Sequence, residues 1–304
     1  MKQSALARLA LLALIWGSAF LWIKLAIRGF SPVEVTFLRL ALGAAVLFPI
    51  VLARREALPR SARMWAHITV AALFANAVPY LLFAVAEQTV SSSTAGIINA
   101  TTPLWTVLLA LAVRHQKSVT SWQAAGLIVG FGGALLIFSP WGSASAVTSA
   151  GGLECLAASV SYAISYIYMD RYVVRRGLSP ITLSACQLLA AAIMLAIALA
   201  VTGARAQHPS AVSVAAVAIL GIIGTGIAYV LNYQIITREG ATIASTVTYL
   251  LPVVAIVLGV LVLGENITAM VLAGIALVLA GVALTRRQEK SSELTAPPPG
   301  GQSK

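Results

Sequence analysis

The residues best placed for chemistry in this 304-residue chain stand one turn before two prolines. Asn99, Thr101 and Thr102 precede Pro103, and Ser245, Thr246 and Thr248 precede Pro252. The two stretches begin at Ala95 and Ala244, and both their first alanines and their prolines lie 149 residues apart. Proline has no N–H and its ring crowds the preceding turn. Pro103 and Pro252 are therefore helix-break positions, each freeing a carbonyl in a segment otherwise apolar enough to cross a bilayer. Such a carbonyl is tolerated there only beside a cavity or a polar side chain. The chemistry this offers is reversible binding, and interrupted segments at matching positions of two repeats point to a transporter's binding site.

Helical spacing extends the polar set. Asn76, Tyr80, Phe83 and Glu87 recur at intervals of four, three and four, and so share one face of a helix. Ala95, Asn99, Thr102 and Thr106 do the same, as do Thr225, Tyr229 and Asn232, and Ser245, Thr248 and Pro252. Glu154, Ser161 and Ser165 form another stripe, with Tyr162 and Tyr166 alongside. Polar faces of membrane helices turn inward. Asn99, Thr102, Tyr229 and Asn232 are read as cavity lining, while any single Ser or Thr serves equally as interhelical glue. Trp16, Trp105, Tyr80, Tyr162 and Tyr249 offer aromatic walls for an organic ligand or cation. Trp22, Trp65, Trp122 and Trp141, nearer segment ends, are read as an interfacial belt.

Glu87 and Glu154 are the candidates for proton coupling, because a desolvated carboxylate takes up a proton; solvation at a helix end is the competing reading. Arg39, two turns into its segment, is assigned a structural ion pair or a snorkelling role. Glu265 suits the start of the helix after it.

Composition limits the classes. The chain is 60% apolar and only 10% charged, with mean hydropathy +0.93. A soluble domain carries roughly 25% charged residues, so this is an all-α polytopic membrane protein. Cys155 and Cys186 lie in hydrophobic segments without ligand spacing and belong to core packing, so no metal or cofactor is expected. The apolar run from Arg8 past Trp16 to Lys24 has no small-residue cleavage site and is read as a spanning helix rather than a signal peptide.

With about 20 apolar residues per crossing, ten transmembrane helices are predicted, at approximately 6–27, 33–53, 65–87, 92–113, 120–139, 150–170, 179–201, 211–235, 241–263 and 267–286. Sixteen of the twenty basic residues fall at one set of ends. They run from Lys2 and Arg8 through Arg54, Arg55, Arg60 and Arg63, Arg171, Arg175 and Arg176, to Arg286 and beyond. Both termini are then cytoplasmic, and the net charge of +11 reflects orientation in the bilayer rather than nucleic-acid binding.

The two halves repeat. Ser31-Pro32 matches Ser179-Pro180, Tyr80 matches Tyr229, and Gly126 and Gly133 match Gly274 and Gly281, at offsets of 148–149. Five crossings per half is odd, so the second half is predicted to be inverted. The boundaries are 1–140 for the first five-helix repeat and 141–287 for the second, with a disordered tail over 288–304. The glycine-rich fifth and tenth helices suit close packing within the chain, or across a homodimer.

Trp16-Gly17-Ser18-Ala19-Phe20, Lys24, Ser31-Pro32, Arg39, Pro103, the Gly126 helix, Tyr162-Ala163, Pro252 and Leu263-Gly264-Glu265, in this order, resemble the EamA branch of the drug/metabolite transporter superfamily over residues 8–286. Gln116 stands where the first repeat of that family often has Gly-Glu, and Tyr162 where Trp is usual. The resemblance implies an inner-membrane exporter of small metabolites, such as amino acids or drug-like amphipathic molecules, working by alternating access. It also implies a cavity lined by helices 1, 3, 4, 6, 8 and 9. The expected partners are a small-molecule substrate and the lipid bilayer. An uncoupled facilitator or multidrug carrier is the alternative. An enzyme is disfavoured because His67, His115 and His208 form no HExxH pair and no GxxxxGK[ST] loop is present. A channel is disfavoured because no TVGYG-type filter is present.

Overall fold

The computed structural model describes residues 3–90, 92–114, 120–138, 149–174, 176–203, 209–251, 254, 269, 272–281 and 283–284. Every regular element among them is helical: α1 Gln3–Gly17, α2 Ala19–Ala26, α3 Pro32–Ala53, α4 Ala62–Ala72, α5 Val78–Ala86, α6 Ser92–Asn99, α7 Thr102–Ala112, α8 Ser121–Phe138, α9 Ala150–Tyr168, α10 Pro180–Thr202, α11 Ala211–Gly221, α12 Ala228–Glu239, α13 Ala241–Leu251 and α14 Leu272–Gly281. Wide π-helical turns at Leu73–Ala77, Met169–Val173 and Ile222–Ile227 continue α4 into α5, extend α9, and join α11 to α12. Among the described residues, five continuous stretches are long and apolar enough to cross a membrane: Leu6–Ala26, Pro32–Ala53, Ala62–Ala86, Pro180–Thr202 and Ala211–Glu239. The chain is an integral membrane protein. Pro252, Glu265, Trp141, His115, His208 and the 288–304 tail lie outside the described residues.

Helix starts arise from local chemistry. Ser31 forms a capping box with Glu34, and Pro32 occupies the first turn, where its missing N–H is not needed. Ser179 caps α10 ahead of Pro180 in the same way, accepting from the Thr182 N–H.

Side-chain pairs give the helix directions. Phe20 packs on Phe83 with ring centroids 5.5 Å apart, and Lys24 Nζ donates to the Glu87 carbonyl at 2.5 Å, so α2 and α5 run parallel. His67 meets the Tyr168 hydroxyl at 2.8 Å, Ser161 Oγ donates to the Phe74 carbonyl at 2.8 Å, and Gly151 abuts Ala86 and Thr89. The α9 helix therefore runs against α4 and α5, and hence against α1 and α2. Likewise Arg8 lies 3.9 Å from Glu239, Trp16 Nε1 donates to the Gly224 carbonyl at 3.1 Å, and Gly29 abuts Ser213, setting α12 antiparallel to α1. The opening helices of the two halves thus point in opposite directions.

Small residues let the backbones meet. A Cβ on Gly221 would stand 2.6 Å from Leu42 Cβ and 3.1 Å from the Arg39 carbonyl, so only glycine lets α11 approach α3 this closely. On Gly281 it would lie 2.4 Å from the Gly130 N, which joins α8 to α14 within the chain. Gly130, Gly133 and Gly281 of these two helices are used in packing within the chain.

Candidate functional site

Two kinds of helix interruption shape the centre of the molecule. The first is the break between α6 and α7 at Ala100 and Thr101, with the buried Pro103 in the first turn of α7. Pro103 cannot donate to the Asn99 carbonyl four residues back; Thr102 Oγ1 donates to it instead, at 2.7 Å. In the second half the chain tightens at Thr246, whose N–H reaches the Ile243 carbonyl at 3.1 Å. This turn lies six residues before Pro252, so it is not the positional counterpart of the break before Pro103.

The second kind is the pair of wide turns starting at Leu73 and Ile222, again 149 residues apart. Wide turns leave carbonyls without their usual partners, and side chains from the opposite half supply donors. Tyr229 donates to the Ala75 carbonyl at 2.6 Å, where Pro79 lacks the ordinary N–H. Ser161 serves Phe74, and Trp16 serves Gly224. These bonds fix the orientation of Trp16 and Tyr229, whose rings meet edge-on at 6.2 Å.

Between these interruptions lies a cavity of about 50 Å³, large enough for a few waters, each of which needs on the order of 10–15 Å³. It is walled by Trp16, Phe20, Tyr80, Phe83, Tyr162, Tyr166 and Tyr229, and carries Arg39, Asn99, Ser165, Asn232 and Thr248 as polar groups. Tyr80 and Tyr162 stand 6.4 Å apart in an edge arrangement, and Phe83 stacks on Tyr162 at 6.0 Å. Both halves of the chain contribute.

The structure therefore brings Trp16, Tyr80, Asn99, Tyr162, Tyr166, Tyr229, Asn232 and Thr248 to one cavity. It places the other expected lining residues elsewhere. Asn76 is fully buried and accepts from Gln187 Nε2 at 2.6 Å; Gln187 in turn accepts from the Tyr233 hydroxyl, making an interhelical network beside the cavity. Thr102 is occupied with the Asn99 carbonyl. Trp105 Nε1 donates to Thr101 Oγ1 at 3.1 Å. Tyr249 packs on Gly130 and donates to the Leu127 carbonyl at 3.2 Å, joining α13 to α8.

Neither acid lines the cavity. Glu87, the residue after α5, is fully buried: Ser92 Oγ donates to its Oε2 at 3.1 Å, while Oε1 has no partner among the described residues. Glu154 is half-buried in the second turn of α9. The structural ion pair expected of Arg39 is absent among the described residues. Its Nε donates to Thr225 Oγ1 at 3.1 Å and its guanidinium lies 3.7 Å over the Tyr80 ring, against the cavity. Arg39 is the lining residue that spacing misses. The signal available for it is a lone cation with no acid one turn away in its own segment.

A model of the EamA-like transporter family matches residues 4–139 and 149–287. An uncharacterized transporter of Archaeoglobus fulgidus is 26% identical over 285 residues, covering 92% of this chain and 98% of that one. The uncharacterized inner membrane transporter YedA of Escherichia coli K12 is 27% identical over 266 residues, covering 84% and 82%. The uncharacterized transporter YdfC of Bacillus subtilis is 25% identical, covering 89% and 87%. A protein crystal structure at 21% identity shares the fold, with a TM-score of 0.75 over 97% of this chain and all of that one.

Proposed function

Because the chain belongs to the EamA-like transporter family, we propose that it is a secondary transporter exporting small amphipathic metabolites across the inner membrane by alternating access. The proposed architecture is ten crossings in two inverted five-helix repeats, 1–140 and 141–287, with both termini cytoplasmic. The observation that carries the reading is the aromatic and amide-lined cavity at the junction of the two halves. Its walls come from α1, α2, α3, α5 and α6 on one side and α9, α12 and α13 on the other, so rocking one half against the other changes which end the cavity faces. Once widened beyond its present room for a few waters, an aromatic cage with few polar groups suits an organic molecule with an apolar body rather than a hydrated ion.

Glu87 is the proposed proton carrier. Its unpartnered, buried Oε1 is a poor place for a full negative charge, and a proton there relieves it. Lys24 on α2, whose Nζ donates to the Glu87 carbonyl, and Arg39 share its surroundings. Glu154 is the second candidate. Reconstituted protein tests the whole reading: saturable, counterflow-competent movement of a metabolite supports it, and no saturable movement of any compound across a broad panel of amino acids, organic acids and amphipathic amines sinks it. Saturable flux indifferent to a pH gradient leaves the uncoupled facilitator.

A further inference from the structure

Arg39 is only 4% exposed, yet no carboxylate pairs with it among the described residues. Its protein contacts there are one hydrogen bond, from Nε to Thr225 Oγ1, and the face of Tyr80. A guanidinium has five N–H donors in a planar fork, so one bond and one ring leave most of its capacity unused. A buried cation without a contact ion pair is costly unless something completes it. The stacking on Tyr80 and the bond to Thr225 hold the plane in place, and the group borders the cavity. A second group there is also incomplete: Asn232 is 2% exposed and its Oδ1 is buried without a partner among the described residues.

We infer that Arg39 is the receptor for a carboxylate on the transported molecule and that Asn232 Oδ1 accepts an N–H from the same ligand. The substrate class is then a small organic acid or zwitterion with an apolar body seated among Trp16, Phe83, Tyr162 and Tyr166. A carboxylate matches the fork bidentately, and the loss of solvent inside the cavity strengthens the pair. Glu87 lies close enough to act on Arg39 electrostatically but forms no ion pair with it, so the guanidinium's free donors remain available to a ligand. This inference rests on the transport reading above and adds the chemistry of the cargo to it.

The test is binding to the purified full-length protein by titration calorimetry, with four probes that share a phenyl body: 3-phenylpropionate, 3-phenylpropanamide, phenethylamine and L-phenylalanine. The acid and the amino acid bind, and the amide and amine bind at least about tenfold more weakly. Arg39→Gln lowers affinity for both acids by on the order of tenfold to a hundredfold and leaves the amide unchanged. A merely structural arginine would weaken all four alike. If Arg39→Gln does not fold, Arg39→Lys keeps the charge but loses the fork, and acid binding still falls selectively. The inference is overturned if the amide binds as tightly as the acid, if the variants keep the acid preference, or if neither acid binds. Transport is scored separately in proteoliposomes. Saturable flux without acid preference removes the carboxylate receptor and leaves the transporter; Arg39-dependent acid binding without flux does the reverse.

Discussion

Tyr229 bridges the two halves through one hydroxyl, and its removal has a calculable effect. Pro79 cannot supply the N–H that the Ala75 carbonyl would ordinarily receive, and Tyr229 donates to that carbonyl at 2.6 Å. Ala75 is 1% exposed, so water does not replace the lost donor. Leaving a buried polar group unsatisfied costs about 1–3 kcal/mol in soluble proteins, while interhelical hydrogen bonds in membranes average about 0.6 and reach about 1.7. The membrane range applies, and the short geometry places this bond in its upper half. Tyr229→Phe should therefore lose about 1 kcal/mol, measured by equilibrium unfolding in mixed detergent and SDS micelles. Pro79→Ala returns a backbone N–H to the region. In that background Tyr229→Phe should cost measurably less, a coupling of about 0.5 kcal/mol or more. If Tyr229→Phe is neutral, or costs the same in both backgrounds, the argument that side chains of one half repair carbonyls freed in the other is refuted.

Further outcomes rest on the local surroundings of four residues. Gly281→Ala places a methyl 2.4 Å from the Gly130 N and should destabilise by about 1–3 kcal/mol or abolish folding. Gly132→Ala, with nothing within 4 Å, should be neutral or stabilising by up to about 1 kcal/mol, and the two are compared by monodisperse yield and unfolding. Gln187→Leu orphans both Asn76 and the Tyr233 hydroxyl; stability should fall by about 1–3 kcal/mol while ligand affinity by calorimetry changes less than threefold, since Gln187 lies off the cavity. Glu87→Gln keeps the Ser92 contact but cannot exchange a proton, so flux driven by a pH gradient should drop about tenfold or more while substrate-gradient counterflow persists.

Much of the fold and the cavity is legible in the residues. Pro103 forecasts the break before α7, because a missing N–H acts locally and needs no knowledge of neighbours. Tyr80 and Tyr229 stand out by repeat position and Trp16 and Tyr162 as aromatics within polar segments, and all four reach the cavity. Face assignment from a period of 3.6 fails where the helix itself changes period. Asn76 and Tyr80 are four apart and share a face of an ideal α-helix. The wide turn over Leu73–Ala77 adds residues to the turn and rotates the helix beyond it, on the order of 100° per extra residue. Asn76 consequently meets Gln187 while Tyr80 meets Arg39. Thr102 and Tyr249 are buried and Trp105 is half-buried, but periodicity cannot say which freed carbonyl, hydroxyl or glycine a polar tip will meet. An ion pair is the natural expectation for Arg39 because buried arginines usually have one, and only the tertiary arrangement reveals the missing acid.

The most direct measurement of the central claim, that the cavity is the route of transport, uses one thiol. Ser165 lines the cavity and is 1% exposed. Cys155 and Cys186, both buried, are replaced by alanine so that Ser165→Cys carries the only sulfhydryl. Reaction of that cysteine with a small methanethiosulfonate should stop saturable flux in proteoliposomes, and transported compound should slow the reaction. Fully modified protein that transports at the unmodified rate would contradict the account.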